Sequence, residues 1–174
     1  MTLGMAMGLD TESLQALYRG GFLHDVGKVG IPDAILFKPS SLTAQEWVTM
    51  RSHTTRGEQI CKHLTSLAPV LPLIRHHHER WDGSGYPDGL RGEEIPLLAR
   101  VLQVADIYDA LTNPRPYKPA FSSQKALQIL QEEADCGWRD PEVVRTFFRL
   151  QGGALSPASD GNLNAMRESL SHLQ

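Results

Sequence analysis

Apolar residues recur at intervals of three and four along most of the chain, and no segment alternates apolar with polar at period two, so the pattern predicts helices throughout. Leu14, Leu17, Tyr18 and Phe22 lie at helical spacing between Asp10 and Lys28, a run that Gly27 and Gly30 break. Gly20 and Gly21 inside it are unfavourable in a helix unless something packs very close there. Pro32 and Pro39 punctuate a connector, IPDAILFKPSSL. Thr43 followed by Glu46 is a capping-box pattern and opens a helix predicted to run past His53 to about Leu67. Pro69 and Pro72 start a short helix that ends in HHHERWDGSGYPDGL. Pro96 opens a longer one, with Leu97, Leu98, Val101, Ala105, Tyr108 and Leu111 along one face. SSQKALQILQEEA predicts another, and Asp140–Pro141 cap and begin the last strong helix, through Phe147 and Leu150. An all-α bundle over residues 1–150 is expected. Residues 151–174 begin with the linker-like QGGALSPASDGN and end in a weak helix, and there are no internal repeats.

Composition narrows the function classes. A chain of 174 residues supports one domain with a core, and 41% apolar with 21% charged residues reads as globular rather than disordered. The net charge of −3 argues against a nucleic acid polymer or a membrane surface as partner. No apolar run reaches transmembrane length, and the opening MTLGMAMGLDTES lacks the basic flank and continuous apolar stretch of a secretion signal. Cys61 and Cys136 lie far apart with no CxxC pair, which fits a reducing compartment; a cytoplasmic protein is expected. The chain has no GxSxG, Walker loop or GxGxxG.

What it has is histidine and aspartate. His24–Asp25 is followed by Lys28 one turn later, so an imidazole, a carboxylate and an ammonium meet at the end of an apolar helix, a cluster that a metal with an anion nearby would compensate. His53, taken alone, reads as a surface histidine. His76, His77 and His78 cannot share one helical face, since neighbours diverge by about 100°; two can converge on metal ions while the third points away. Asp106 stands among apolar neighbours in VLQVADIYDAL, where a carboxylate calls for a metal or a partner, with Asp109 as its solvent-facing counterpart. A nitrogen and oxygen donor set without thiolate suits Fe, Mn or Zn, and a mixed set of higher coordination favours Fe or Mn. Two ions about 3.5–4 Å apart, sharing a carboxylate, can bring the pKa of water from about 15.7 to near 7, enough for phosphoester hydrolysis without a serine or cysteine nucleophile.

The order HDVGK (24–28), GIPDAILFKPSSLTAQEW (30–47), RSHTTRGEQI (51–60), HHERWDGSGYPDGLRGEEIPLLAR (77–100) and VADIYDALTNPRPYK (104–118) resembles an HD-GYP domain, from about residue 8 to 150. The resemblance implies an HD-domain-like helical bundle that hydrolyses cyclic di-GMP to pGpG or GMP at a binuclear centre, with Fe or Mn preferred and Zn, Ni or Mg admissible. His24, Asp25, His53, His77, His78 and Asp106 are the implied metal ligands, with Asp25 bridging. Lys28 is implied to sit beside the scissile phosphate, and Arg115, Tyr117 and Lys118 of RPYK to hold the ligand. His76 precedes the HHE of the family and is not an expected ligand. In the signature loop, Asp82, Gly83, Gly85, Tyr86 and Pro87, the glycines permit positive φ or close backbone approach, and Tyr86 and Pro87 shape the rim or dock a GGDEF-domain partner. Glu79 and Asp82 read as loop supports as much as catalytic groups. The family's upstream helix, which donates a further histidine and in trinuclear members a glutamate, has no counterpart before GLDTES, so a truncated domain with two ions is expected. Its absence would expose apolar surface, making a homodimer or a covering partner the expectation. The competing reading is a weakly active or inactive module that binds cyclic di-GMP or a GGDEF domain.

Overall fold

A computed structural model describes residues 1–114 and 120–152, which form helices and turns. Arg115, Tyr117 and Lys118, and the residues beyond Gly152 where a linker and a weak helix are expected, lie outside the described residues. Among the described residues there is no strand, only an isolated antiparallel bridge between Asp82 and Arg91. None of their helices is long and apolar enough to cross a membrane.

Local chemistry sets the helix starts. The Asp10 carboxylate accepts the Ser13 amide at 2.7 Å and opens α2, Thr11–Leu23. It is preceded by α1, Thr2–Ala6, a helix the apolar pattern does not announce, whose Leu3 is buried in the main core. A 3-10 turn, Val26–Gly30, and the single-turn α3, Asp33–Leu36, follow. The predicted capping box forms: Thr43 accepts the Glu46 amide at 3.3 Å, and Glu46 accepts the Thr43 amide at 2.7 Å. Asp140 accepts the amides of Glu142 and Val143 and opens α9, Pro141–Leu150. Between them run α7, Leu97–Thr112, and α8, Ser123–Asp135.

The single helix expected from Thr43 to about Leu67 is instead broken. α4, Ala44–Arg51, stops at Ser52 and α5, His53–Cys61, restarts immediately, before a 3-10 turn, Thr65–Val70, and α6, Leu71–His76. Ser52 causes the break: its amide reaches back only three residues to the Thr49 carbonyl at 3.1 Å, and its hydroxyl donates to the same oxygen at 2.6 Å. His53, read alone as a surface residue, is therefore redirected inward and is 1% exposed.

Three apolar clusters hold the bundle. The largest joins Leu17, Leu73, Val101, Leu130, Val143 and Phe147 from α2, α6, α7, α8 and α9. A smaller one, with Ala16, Cys61, Val70 and Ile74, lies under the histidine-bearing elements. Leu73 and Ile74 are fully buried, each contributing about 1.5–3 kcal/mol. Gly20 is the close approach the sequence demands, since a Cβ there would lie 2.5 Å from Leu73 Cδ2, whereas Gly21 has open space. The α2 stripe is only partly covered: Leu17 is buried, but Tyr18 and Phe22 are exposed, packing edge to face on each other. Ala105 of α7 is exposed as well. Cys61 and Cys136 are both buried.

Candidate metal centre

The tightest approach in the fold builds the site. At Gly27 a Cβ would lie 1.8 Å from the His53 carbonyl oxygen and 2.5 Å from the Gly57 nitrogen, so the 3-10 turn and α5 meet backbone to backbone. That contact brings His53, the first residue of α5, beside His24 and Asp25 at the end of α2. His77 and His78 arrive from the end of α6.

The main chain orients these imidazoles. His24 Nδ1 lies 3.0 Å from the Gly21 carbonyl, His53 Nδ1 2.8 Å from that of Met50, and His77 Nδ1 2.8 Å from that of Ile74. A carbonyl only accepts, so each Nδ1 carries the hydrogen and, in the neutral ring, each Nε2 presents a lone pair. The rings of His53 and His77 are neutral: burial first, and the neighbouring imidazoles for His77, hold His53 below its usual value and His77 at about 3. Burial and the same neighbours keep His78 well below the usual range.

The lone pairs converge. His53 Nε2 and His77 Nε2 are 3.3 Å apart, and Asp25 Oδ1 lies 3.5 Å from the first and 3.9 Å from the second. Asp25 Oδ1 is buried and accepts no hydrogen bond. One donor atom each from Asp25, His53, His77 and His78 falls within 4.8 Å of the others. Acceptors facing one another with no hydrogen between them call for a cation, and this nitrogen and oxygen set fits a divalent metal.

The other carboxylate oxygen faces a second group. Lys28 Nζ donates to Asp25 Oδ2 at 2.5 Å, and His24 Nε2 lies 3.5 Å from that oxygen and 3.6 Å from Asp106 Oδ1. Burial works to raise the Asp25 carboxyl, but the Lys28 hydrogen bond and charge, with His24 and His77, hold it below its ordinary value. Asp106 is less enclosed than its apolar neighbours in sequence suggest, with a side chain 39% exposed. Asp109 is exposed as expected and accepts from Asn113 at 2.7 Å. Of the five other residues expected as ligands, His53, His77 and His78 group with Asp25, His24 lies beside its Oδ2, and Asp106 stands next to His24. His76 is apart from them, with Nδ1 3.4 Å from Asp88 Oδ2.

The signature loop packs against this group. Glu79, fully buried, accepts the amides of Asp88, Gly89 and Leu90 at 2.7, 3.1 and 3.2 Å, so its side chain supports the loop. Asp82 accepts the Ser84 amide at 2.9 Å. Gly83 has φ +80°, and a Cβ on Gly85 would lie 2.2 Å from the Arg80 nitrogen, which realises both glycine roles. Tyr86 stacks on His78, centroids 4.9 Å apart and 21° between planes, and precedes Pro87 through a cis peptide. A separate open cleft of roughly 590 Å³, lined by Trp81, Asp82, Gly83, Ser84 and Arg91, contains none of the clustered histidines, so donor chemistry rather than cavity size marks the site. Sequence reasoning missed Gln103, whose buried amide donates to the carbonyls of Glu79 at 2.8 Å and His76 at 3.3 Å. The signal was there: an amide on the apolar run between Leu102 and Val104.

Comparison with known families gives a match to the HD domain over residues 1–143. This chain belongs to the HD-domain family. Its DGSGYP loop and its relatives place it among the HD-GYP members. The match starts at the first residue rather than near residue 8, so α1 falls within the HD domain. A cyclic di-GMP phosphodiesterase of Vibrio cholerae is 45% identical over 79% of this chain and 29% of its own length. Cyclic di-GMP phosphodiesterase PA4108 of Pseudomonas aeruginosa is 41% identical over 85% of this chain and 36% of its own. A 3'3'-cGAMP-specific phosphodiesterase of V. cholerae is 37% identical over 84% and 34%. This chain thus spans about a third of the length of these relatives. An HDG"Y"P protein from Bdellovibrio bacteriovorus shares the fold, with TM-score 0.67 at 23% identity over 87% of this chain and 48% of the other.

Proposed function

We propose that this chain is a metal-dependent phosphodiesterase that hydrolyses cyclic di-GMP to pGpG or GMP. The observation that carries the proposal is the convergence of the His53 and His77 lone pairs on the orphaned Asp25 oxygen. His24, Asp25 and Asp106 would hold one ion and Asp25, His53, His77 and His78 a second, with Fe or Mn as the preferred metals. Divalent ions bound there supply Lewis acidity toward phosphoryl oxygens and make water a nucleophile near neutral pH. Lys28, whose ammonium reaches Asp25 and whose side chain is 38% exposed, stands where it would meet the phosphate. It would steady the developing charge and give its proton to the ribose 3' oxygen as the phosphorus–oxygen bond breaks, leaving a 5'-phosphate. Burial around His77 and His78 keeps the imidazoles unprotonated for this role.

The relatives named as cyclic di-GMP phosphodiesterases support this substrate. Relatives named as 3'3'-cGAMP-specific support a second reading, in which one guanine is replaced by adenine. The half-buried Tyr86 and Pro87 of the signature loop are where a GGDEF-domain partner would dock. The exposed Tyr18 and Phe22, beside Met1 and Leu17, are where a second copy would cover apolar surface.

Product chromatography tests the assignment. Protein purified without oxygen and supplied with Mn or Fe is expected to convert cyclic di-GMP to pGpG, and His78→Ala to abolish the conversion. Undiminished product from His78→Ala would remove the assignment, and faster turnover of 3'3'-cGAMP would replace the substrate.

A further inference from the structure

α4 is an oddity among the helices. Like the single-turn α3 it buries no side chain, its main neighbours are the adjacent α3 and α5, and at eight residues it is too short to persist on propensity alone. It is nonetheless secured, by the Thr43–Glu46 capping box and by the Lys38–Glu46 ion pair at 2.6 Å. Along it stand Trp47 and, one turn later, Arg51, whose guanidinium reaches Tyr86 of the signature loop.

The Arg51 guanidinium lies 5.2 Å from the Tyr86 ring centroid and 5.9 Å from that of Trp47. Tyr86 in turn stacks on His78 of the donor cluster. Arg51 is exposed and, among the described residues, forms no ion pair with a carboxylate, while Trp47 keeps 37% of its surface in solvent. An unpaired guanidinium over an aromatic ring keeps its edge N–H groups free, and their fork matches two oxygens of one phosphate. An exposed indole offers a face to any purine.

Resting on the proposed function, we infer that Trp47 and Arg51 form a subsite for the half of the cyclic dinucleotide that is not being cut. Arg51 takes the second phosphate and Trp47 stacks under a purine. A substrate with two phosphates can place only one at the metal donors, and the other brings a negative charge that Arg51 would meet in addition to the Arg115 and Lys118 that the family resemblance implies. The rim helix supplies this added contact and, through Tyr86, ties it to His78. The plainer alternative is a fastening, in which Trp47 and Arg51 merely pin α4 to the loop.

Kinetics on two substrates separates these. Cyclic di-GMP has a second phosphate and purines, whereas bis(p-nitrophenyl) phosphate has neither. Arg51→Ala and Trp47→Ala are each expected to raise KM for cyclic di-GMP about tenfold, with a much smaller change in kcat and a much smaller loss on the nitrophenyl ester. Trp47→Phe should recover most of the loss, and Arg51→Lys, which keeps charge without the fork, only part. Equal losses on both substrates, or an unchanged KM for the dinucleotide, would overturn the subsite. If wild-type protein hydrolyses neither substrate, the proposed function fails and the subsite is judged by calorimetric binding of cyclic di-GMP. A tenfold weaker affinity in Arg51→Ala then supports it; equal affinity, or no binding by wild type, overturns it.

Discussion

His53 and His77 face each other Nε2 to Nε2 across 3.3 Å, while the opposite nitrogen of each ring is committed to a main-chain carbonyl. Neither ring can turn to relieve the other without leaving a buried carbonyl unpaired. A divalent ion removes the conflict, so metal should stabilise the fold measurably. Mn at a hundredfold excess over its dissociation constant should add about 2.7 kcal/mol. For a domain of this size that is roughly 5–10 °C in Tm, reversed by chelator. His53→Ala and His77→Ala should each lose most of the shift, read by calorimetry with and without Mn.

The metal-free protein should lose stability on acidification. His77 has a folded value of about 3 against about 6.5 for the free side chain, and His53 and His78 move in the same direction. Between those limits the unfolded chain binds more protons than the folded one, so stability falls as pH drops from about 6.5 toward 3. Urea titrations at pH 7.5 and pH 5 should differ by about 2 kcal/mol from His77 alone, and His77→Ala should flatten the dependence. Equal stability at both values would contradict the buried neutral state of this ring.

Glu79 anchors three amides with one buried carboxylate. Glu79→Gln keeps the shape but turns an amide N–H toward those donors, and should cost about 2–3 kcal/mol by urea denaturation. The amides of Asp88, Gly89 and Leu90 should exchange with solvent markedly faster. Unchanged protection at these positions would show that the loop is held by other contacts.

Gly27→Ala places a methyl 1.8 Å from the His53 carbonyl, so α5 must move. The expected cost is about 3 kcal/mol or more, with metal content falling in parallel because His53 moves too. Gly21→Ala, in open space inside α2, should instead raise Tm slightly, by up to about 1 kcal/mol of stability. Comparable melting of the two variants would refute the close approach.

Much of this molecule is written locally. Helical spacing, the caps at Asp10, Thr43 and Asp140, and the absence of alternation act within a few residues, so the all-α bundle is legible without coordinates. The motif order names the six metal-donor candidates, because the resemblance carries their spacing. Other features need the tertiary structure. Periodicity tells which residues share a face, not whether anything covers it, so Tyr18, Phe22 and Ala105 extend an apolar stripe yet are exposed. His53 reads as an ordinary surface histidine until Ser52 interrupts the helix and Gly27 lets two backbones touch. The exposed rim role of Arg51 has no signature along the chain. Donor convergence depends on contacts between segments remote in sequence, and that geometry is decided by packing across the core rather than by any single stretch.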